Sequence, residues 1–240
     1  MVSLESCRSS GDGVASPLHT VVLVVGLLAV ALVASLDRPL EQWPRALSEP
    51  GARALLYARV AALQALWTAY VMWGVRRSGG SIRSLVYGAR WTAARWLRHS
   101  LLGLGGVLVW LAVQGVLSRL LTPRPGVLRG IAAMLPHSPF ERVLWVAFVL
   151  CVAICEEVVY RGYLIRQLHA LTGRRLPALL LQASVYGLGH LGLSLEMAVS
   201  VALLGVLLGA LVLWQESLVP AMVFHAGTGL MAILASSGPA

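Results

Sequence analysis

The sequence predicts an all-α, polytopic transmembrane bundle of about seven to eight helices. Three observations carry that prediction. The 240-residue chain is 58% hydrophobic and only 12% charged, where soluble domains carry about a quarter charged residues. Several apolar runs approach the ~20 residues that a membrane-spanning helix needs. Finally, two acids and a base, Glu156, Glu157 and Arg161, stand at the end of the apolar run 143–155. A charge at bilayer depth costs roughly 2.5 kcal/mol or more, so it marks a candidate site.

The charge balance fits a membrane surface. All nineteen basic residues are arginine, and the net charge is +9. They gather in the connections, where they can meet lipid headgroups and set orientation. No soluble basic element offers a nucleic-acid face, so the expected surroundings are the lipid bilayer and no nucleic acid. Of three cysteines, Cys7 lies in the polar N-terminus, while Cys151 and Cys155 are one helical turn apart in an apolar helix. That pattern suits small buried hydrophobes and gives no disulfide framework or zinc ribbon.

The elements follow in order. Residues 1–15 read as a disordered polar N-terminus, and residues 16–240 as a single membrane domain. Ser16-Pro17 starts the first helix with a capping residue and a first-turn proline, ahead of the apolar run 21–36. This run reads as a retained helix rather than a cleaved signal, since only Arg8 supplies a base before it. A proline-bearing loop over 37–51 leads to a second helix over 53–75, which carries Arg59 and Gln64. Residues 76–98 hold six arginines interleaved with Trp91 and Trp96, a pattern suited to a cytoplasmic interfacial segment. A third helix covers 100–120.

After a loop, Ser138-Pro139-Phe140-Glu141 combines first-turn proline with a capping-box pattern. It starts the fourth helix. Counting ~20 residues at 1.5 Å each puts Glu156 and Glu157 about one turn inside the far face. The fifth helix, 177–193, carries His190. The sixth, 195–214, carries the Gly205/Gly209 small-residue pair, which allows close helix contact. The seventh, 218–234, carries His225. Parity and the arginine bias give a multi-pass plasma-membrane protein whose acid pair lies near the cytoplasmic face.

Glu157 and Arg161 have the favourable i, i+4 order for a helix ion pair. Glu156, about 100° round the helix, is left to work on a water as general base. His190, with Tyr186 one turn before it, and His225 are the imidazoles that parity brings to the same region. No nucleophile-elbow serine pattern occurs. Glu156, His190 and His225 are a weak zinc set because no His-Glu-x-x-His is present, so no metal and no cofactor are expected. A proton-coupled transporter would place an acid pair similarly, but no inverted repeat is visible.

The residues 140–234 resemble the CPBP family of intramembrane glutamic proteases, the CAAX-protease and bacteriocin-processing (Abi, Rce1-like) group. Its Glu-Glu-x-x-x-Arg motif looks like Glu156-Glu157-Val158-Val159-Tyr160-Arg161. Its Phe-x-x-x-His motif looks like Tyr186 to His190, with tyrosine for phenylalanine. Its His-x-x-x-Asn motif looks like His225 to Gly229, with glycine where the family has asparagine. The resemblance implies an Rce1-like fold with a catalytic core over 139–235. It also implies an endopeptidase in which Glu156 and His190 activate water, Glu157 and Arg161 support the site, and His225 stabilises the oxyanion. Tyr186 and Thr228 are the expected substrate-side groups, with Thr228 standing in for the missing asparagine. The partner implied is a peptide or membrane-protein substrate, prenylated or not. Gly229 leaves open a non-catalytic immunity or scaffold protein of the same fold.

Overall fold

A computed structural model describes residues 13–37, 40–86, 92–121 and 124–235. Cys7, Arg90, Trp91, Pro123 and the expected disordered stretch up to residue 12 lie outside those residues. The described residues are helical throughout, with no strand among them. In order they form α1 (Pro17–Asp37), a short turn of helix with α2 (Trp43–Ala46), α3 (Ala52–Arg77), α4 (Ile82–Val86), α5 (Ala93–Leu120) and α6 (Pro125–Met134). Then come α7 (Pro139–Glu156), a π-helical segment (Glu157–Leu164), α8 (Ile165–Thr172), α9 (Arg175–Leu188), α10 (Leu195–Gln215) and α11 (Val219–Ala235).

Five helices are long and apolar enough to cross a membrane: 17–36, Ala52–Arg77, Ala93–Leu120, the continuous Pro139–Thr172 and Leu195–Gln215. Their outward faces carry exposed leucine and valine, such as Leu104, Leu108 and Val143. In water such a surface would be an aggregation liability, and in lipid it is ordinary. Helices α9 and α11 are shorter; α9 packs chiefly on α10, and α11 on α5 and α7.

The sequence-derived bounds need four corrections. Helix α5 begins at Ala93, so Arg95, Trp96 and Arg98 ride on a spanning helix rather than in a connection. The loop before the acid-bearing helix contains α6, whose glycines pack on the 40–41 turn. The fifth helix ends at Leu188, which leaves His190 in the turn that follows. At the N-terminus, Ala15 is buried: its N–H donates to Gln167 Oε1 (3.1 Å) and its carbonyl accepts from Gln167 Nε2 (2.8 Å).

Parallel packing of α3 and α7 sets the depth of the acid pair. Ser138 and Glu141 form the expected capping box. Glu141 also accepts from Arg53 Nη1 at 3.2 Å, while Arg53 Nε donates to the Ala133 carbonyl. Tyr57 donates to the Met134 carbonyl at 2.7 Å and its ring meets Trp145 edge-on at 5.2 Å. These contacts lock the starts of α3 and α7 side by side, so Gln64 and Glu156 come level and hydrogen-bond. Gln64 is twelve residues after Ala52 and thirteen before Arg77. At 1.5 Å per residue, Glu156 therefore sits ~18 Å from either end of α3. Glu156 is thus level with the middle of α3.

Beyond Glu156 the bundle is closed. Tyr163, Leu85, Leu218 and Gln167 have no exposure. Thr20 and Tyr163 share a hydroxyl hydrogen bond of 2.8 Å, and Arg166 donates to the Leu85 carbonyl. On the other side, α9 and α10 approach closely because Gly187 and Gly209 carry no side chain. A Cβ at Gly187 would meet the Ala198 carbonyl at 2.6 Å.

The arginine-rich end, marked by Arg76 and Arg77, is expected in the cytoplasm by the positive-inside rule. In a cysteine-free background, Ser48→Cys should label with an impermeant maleimide on intact cells, and Ser78→Cys only after permeabilisation. The reverse pattern would invert the topology.

Candidate active site

The site starts from a helix that changes its pitch. The regular turns of α7 end at Glu156, and Glu157–Leu164 is π-helical, with i→i+5 hydrogen bonding. Such wider turns cluster at functional sites because they re-aim the side chains they carry. Every residue of the segment is buried, as is Glu156 at 4% exposure.

Glu157 and Arg161 make the ion pair that their spacing predicts. Arg161 Nη1 donates to Glu157 Oε1 at 2.8 Å, with both side chains at zero exposure. His225, from α11, reaches the same oxygen, with its Nδ1 2.9 Å from Glu157 Oε1. A carboxylate only accepts, so Nδ1 carries the proton and Nε2 is turned towards the rest of the site. His225 Nε2 lies 3.8 Å from Glu156 Oε2 and 3.5 Å from the Tyr186 hydroxyl. The guanidinium of Arg161 stacks 4.3 Å over the Tyr186 ring, a cation–π contact that helps hold a cation with few other partners.

Glu156 lines a cavity of about 320 Å³, whose wall His225 does not join, while its Oε2 stays 3.8 Å from His225 Nε2. Its apolar wall includes Leu27, Val30, Trp67, Phe148 and Val152, and Gln64, Glu156, Tyr160 and His190 are its polar and aromatic members. The cavity runs from the acid towards Trp43, Tyr57 and Met134, at the start of α3 and away from Arg76 and Arg77. His190 is held at the mouth of the α9–α10 turn by Nδ1, 3.0 Å from the Tyr186 carbonyl. A carbonyl only accepts, so here too Nδ1 is the N–H, and Nε2 remains a base. The short α9 and its two turn glycines allow this placement.

The structure thus brings Glu156, Glu157, Arg161, Tyr186 and His225 into one contact network, and it puts His190 on the cavity that Glu156 lines. Thr228 is placed differently. Its hydroxyl donates to the His225 carbonyl at 2.7 Å, and the residue does not line this cavity. It therefore offers no spare donor. Gly229 is a packing position: a Cβ there would stand 2.8 Å from Cγ1 of Val149, and its carbonyl accepts from Trp145 Nε1 at 3.1 Å. A side chain at 229 would push α11 off α7.

Three participants carried no motif signal. Tyr160 meets the Tyr186 ring at 4.8 Å and lines the cavity. Trp67 and Gln64 come from α3, where the sequence offered only a polar residue in an apolar run as a cue. No group of three or more histidine, cysteine or acidic side chains is arranged to hold a metal ion among the described residues.

Residues 138–231 match the family described as Type II CAAX prenyl endopeptidase Rce1-like. Comparison with curated proteins and with solved structures gives no match. The matched region contains the acid pair and both imidazoles, whereas Gln64 and Trp67 lie outside it. By this match, the region that carries the acid pair and both imidazoles is similar to the Rce1-like family of type II CAAX prenyl endopeptidases.

Proposed function

We propose that the protein is an intramembrane endopeptidase that hydrolyses a peptide bond with a water activated by Glu156. One observation carries this reading most directly: Glu156 and His190 line one largely apolar cavity, while His225 Nε2 stands 3.8 Å from Glu156 Oε2. The Glu156 carboxylate takes a proton from the water, and His190 Nε2 orients the nucleophile. Hydroxide adds to the scissile carbonyl. His225, in its charged form and braced at Nδ1 by Glu157, donates from Nε2 to the oxyanion. Glu156 then returns the proton to the leaving amine. Atoms balance without a further reactant, since water supplies one proton to the amine and its oxygen to the new carboxyl.

The cavity suits an apolar stretch of substrate. Pockets of a few hundred Å³ with apolar walls and few polar groups are the usual form of a small-ligand site. An isoprenyl chain or the apolar side chains of a peptide both satisfy that wall, so prenylated and unprenylated peptides belong in the same screen. We place the protein in the plasma membrane with the site towards its cytoplasmic side; level with the middle of α3, Glu156 puts the scissile bond inside the bundle.

A second reading, a non-catalytic membrane scaffold, is favoured by Gly229 and by the engagement of the Thr228 hydroxyl with its own helix. A cleavage assay separates the two. With purified protein and prenylated and plain fluorogenic peptides, Glu156→Ala and His190→Ala should each lower turnover by about 10²- to 10⁴-fold, the range for a lost acid–base group. His225→Ala should lose about 10²- to 10³-fold, the range for an oxyanion donor. Cleavage that survives Glu156→Ala would refute the assignment, and no cleavage by the wild type would favour the scaffold.

The ion pair gives a stability prediction. Arg161→Ala leaves the Glu157 charge buried with only His225 beside it, and should destabilise the fold by roughly 3–5 kcal/mol. The Arg161→Ala, Glu157→Gln double variant should recover part of that loss. The check is thermal unfolding in detergent, and equal melting of the single variant and wild type would contradict a structural role for the pair.

A further inference from the structure

On the proteolytic reading just given, we infer that Gln64 is a positioning residue of the active site. It is an amide donor supplied from α3 to a family core whose closing motif ends in glycine. Its Nε2 donates to Oε1 of Glu156, and its side chain lines the cavity beside that acid. Tyr186, from α9, is the other neighbouring side chain that bonds to Glu156.

The physical case has three parts. Without Gln64, no α3 donor would fix the terminal torsion of Glu156, which is broad for a carboxylate. A donor fixed on Oε1 leaves Oε2 as the oxygen for the water, on the side where His225 Nε2 stands at 3.8 Å. Second, a primary amide has two N–H groups, of which only one is used on Glu156, and the cavity-facing carboxamide keeps the other for a substrate carbonyl or the water. Third, the geometry is held by the Arg53–Glu141 and Tyr57–Met134 contacts, which set the register of α3 against α7. An amide in the middle of an apolar helix is costly unless it is hydrogen-bonded, and its partner here is the proposed base itself.

Position 229 offers no donor to the site. That position is filled by packing against Val149, and the Thr228 hydroxyl is already bonded. Among the described side chains near Glu156, the Gln64 carboxamide is the neutral amide donor.

The test uses the full-length protein in detergent with Gln64→Met, which removes the donor and keeps the volume, Gln64→Glu, which is isosteric but sets a second acid against Glu156, and Gln64→Asn. Two readouts are taken. In the cleavage assay, Gln64→Glu and Gln64→Met should lower kcat by roughly 100-fold, the scale of one preorganised donor, with KM within about threefold. Gln64→Asn should recover part of the loss. In the second readout, an apolar carbodiimide should modify Glu156 several-fold faster in Gln64→Met than in the wild type, measured by mass spectrometry. This readout needs no turnover.

Unchanged kcat in Gln64→Met would overturn the inference, as would a rise in KM alone or unchanged labelling of Glu156. If Glu156→Ala is inactive while the Gln64 variants match the wild type, this inference fails and the proteolytic reading stands. If the wild type cleaves nothing but labelling still responds to Gln64, the coupling stands and the proteolytic reading fails.

Discussion

The site is organised by one buried carboxylate oxygen. Oε1 of Glu157 accepts from Arg161 at 2.8 Å and from His225 at 2.9 Å, at zero exposure. A buried charge with a partner removed is strongly unfavourable, so the three groups hold one another in place. Arg161 keeps the carboxylate, the carboxylate fixes the tautomer and direction of His225, and the Tyr186 ring covers the guanidinium. Glu156 is released by this division of labour. The neighbouring acid carries the structural charge, and Glu156 is turned to the cavity. Two adjacent acids do different work because the helix points them in different directions and a π-helical stretch follows immediately.

The scaffold is arranged around that contact. The capping box at Ser138 and Glu141 and the Arg53 clamp fix where α3 and α7 begin, which decides what faces Glu156 ~18 Å further along. Small residues on α9 and α10 let the short α9 lie close, so its turn delivers His190 to the cavity. On the other flank, Gly229 brings α11 onto Val149 and sets His225 beside the acid pair. Each functional side chain thus depends on a packing decision made elsewhere in the chain.

Much of this was legible in the residues. The apolar runs, the Ser138-Pro139-Phe140-Glu141 start signal, the i, i+4 spacing of Glu157 and Arg161 and the order of the two histidines are local patterns, and local patterns report local geometry. What faces Glu156 was not legible: a residue count along one helix does not say which residue of α3 comes level with it. The π-helical segment was not legible either, because it comes from tertiary packing and carries no composition cue. Gln64 was visible as an oddity in an apolar helix, but its partner is 92 positions away. Only the register of two helices could name it. Thr228 was expected as a donor because it adjoins the glycine that stands where the family has asparagine, and its bond to the carbonyl three residues back is a habit of threonine in helices that the motif does not reveal.

The central claim is that Glu156, His190 and His225 converge on one tetrahedral centre. The most direct measurement is an experimental structure with a peptide carrying a non-hydrolysable tetrahedral phosphinate at the scissile position. The phosphinate should sit in the cavity with one oxygen between Glu156 and His190 and the other on Nε2 of His225. A phosphinate bound elsewhere, or in the cavity with His225 still 3.8 Å from Glu156 and touching neither oxygen, would contradict it.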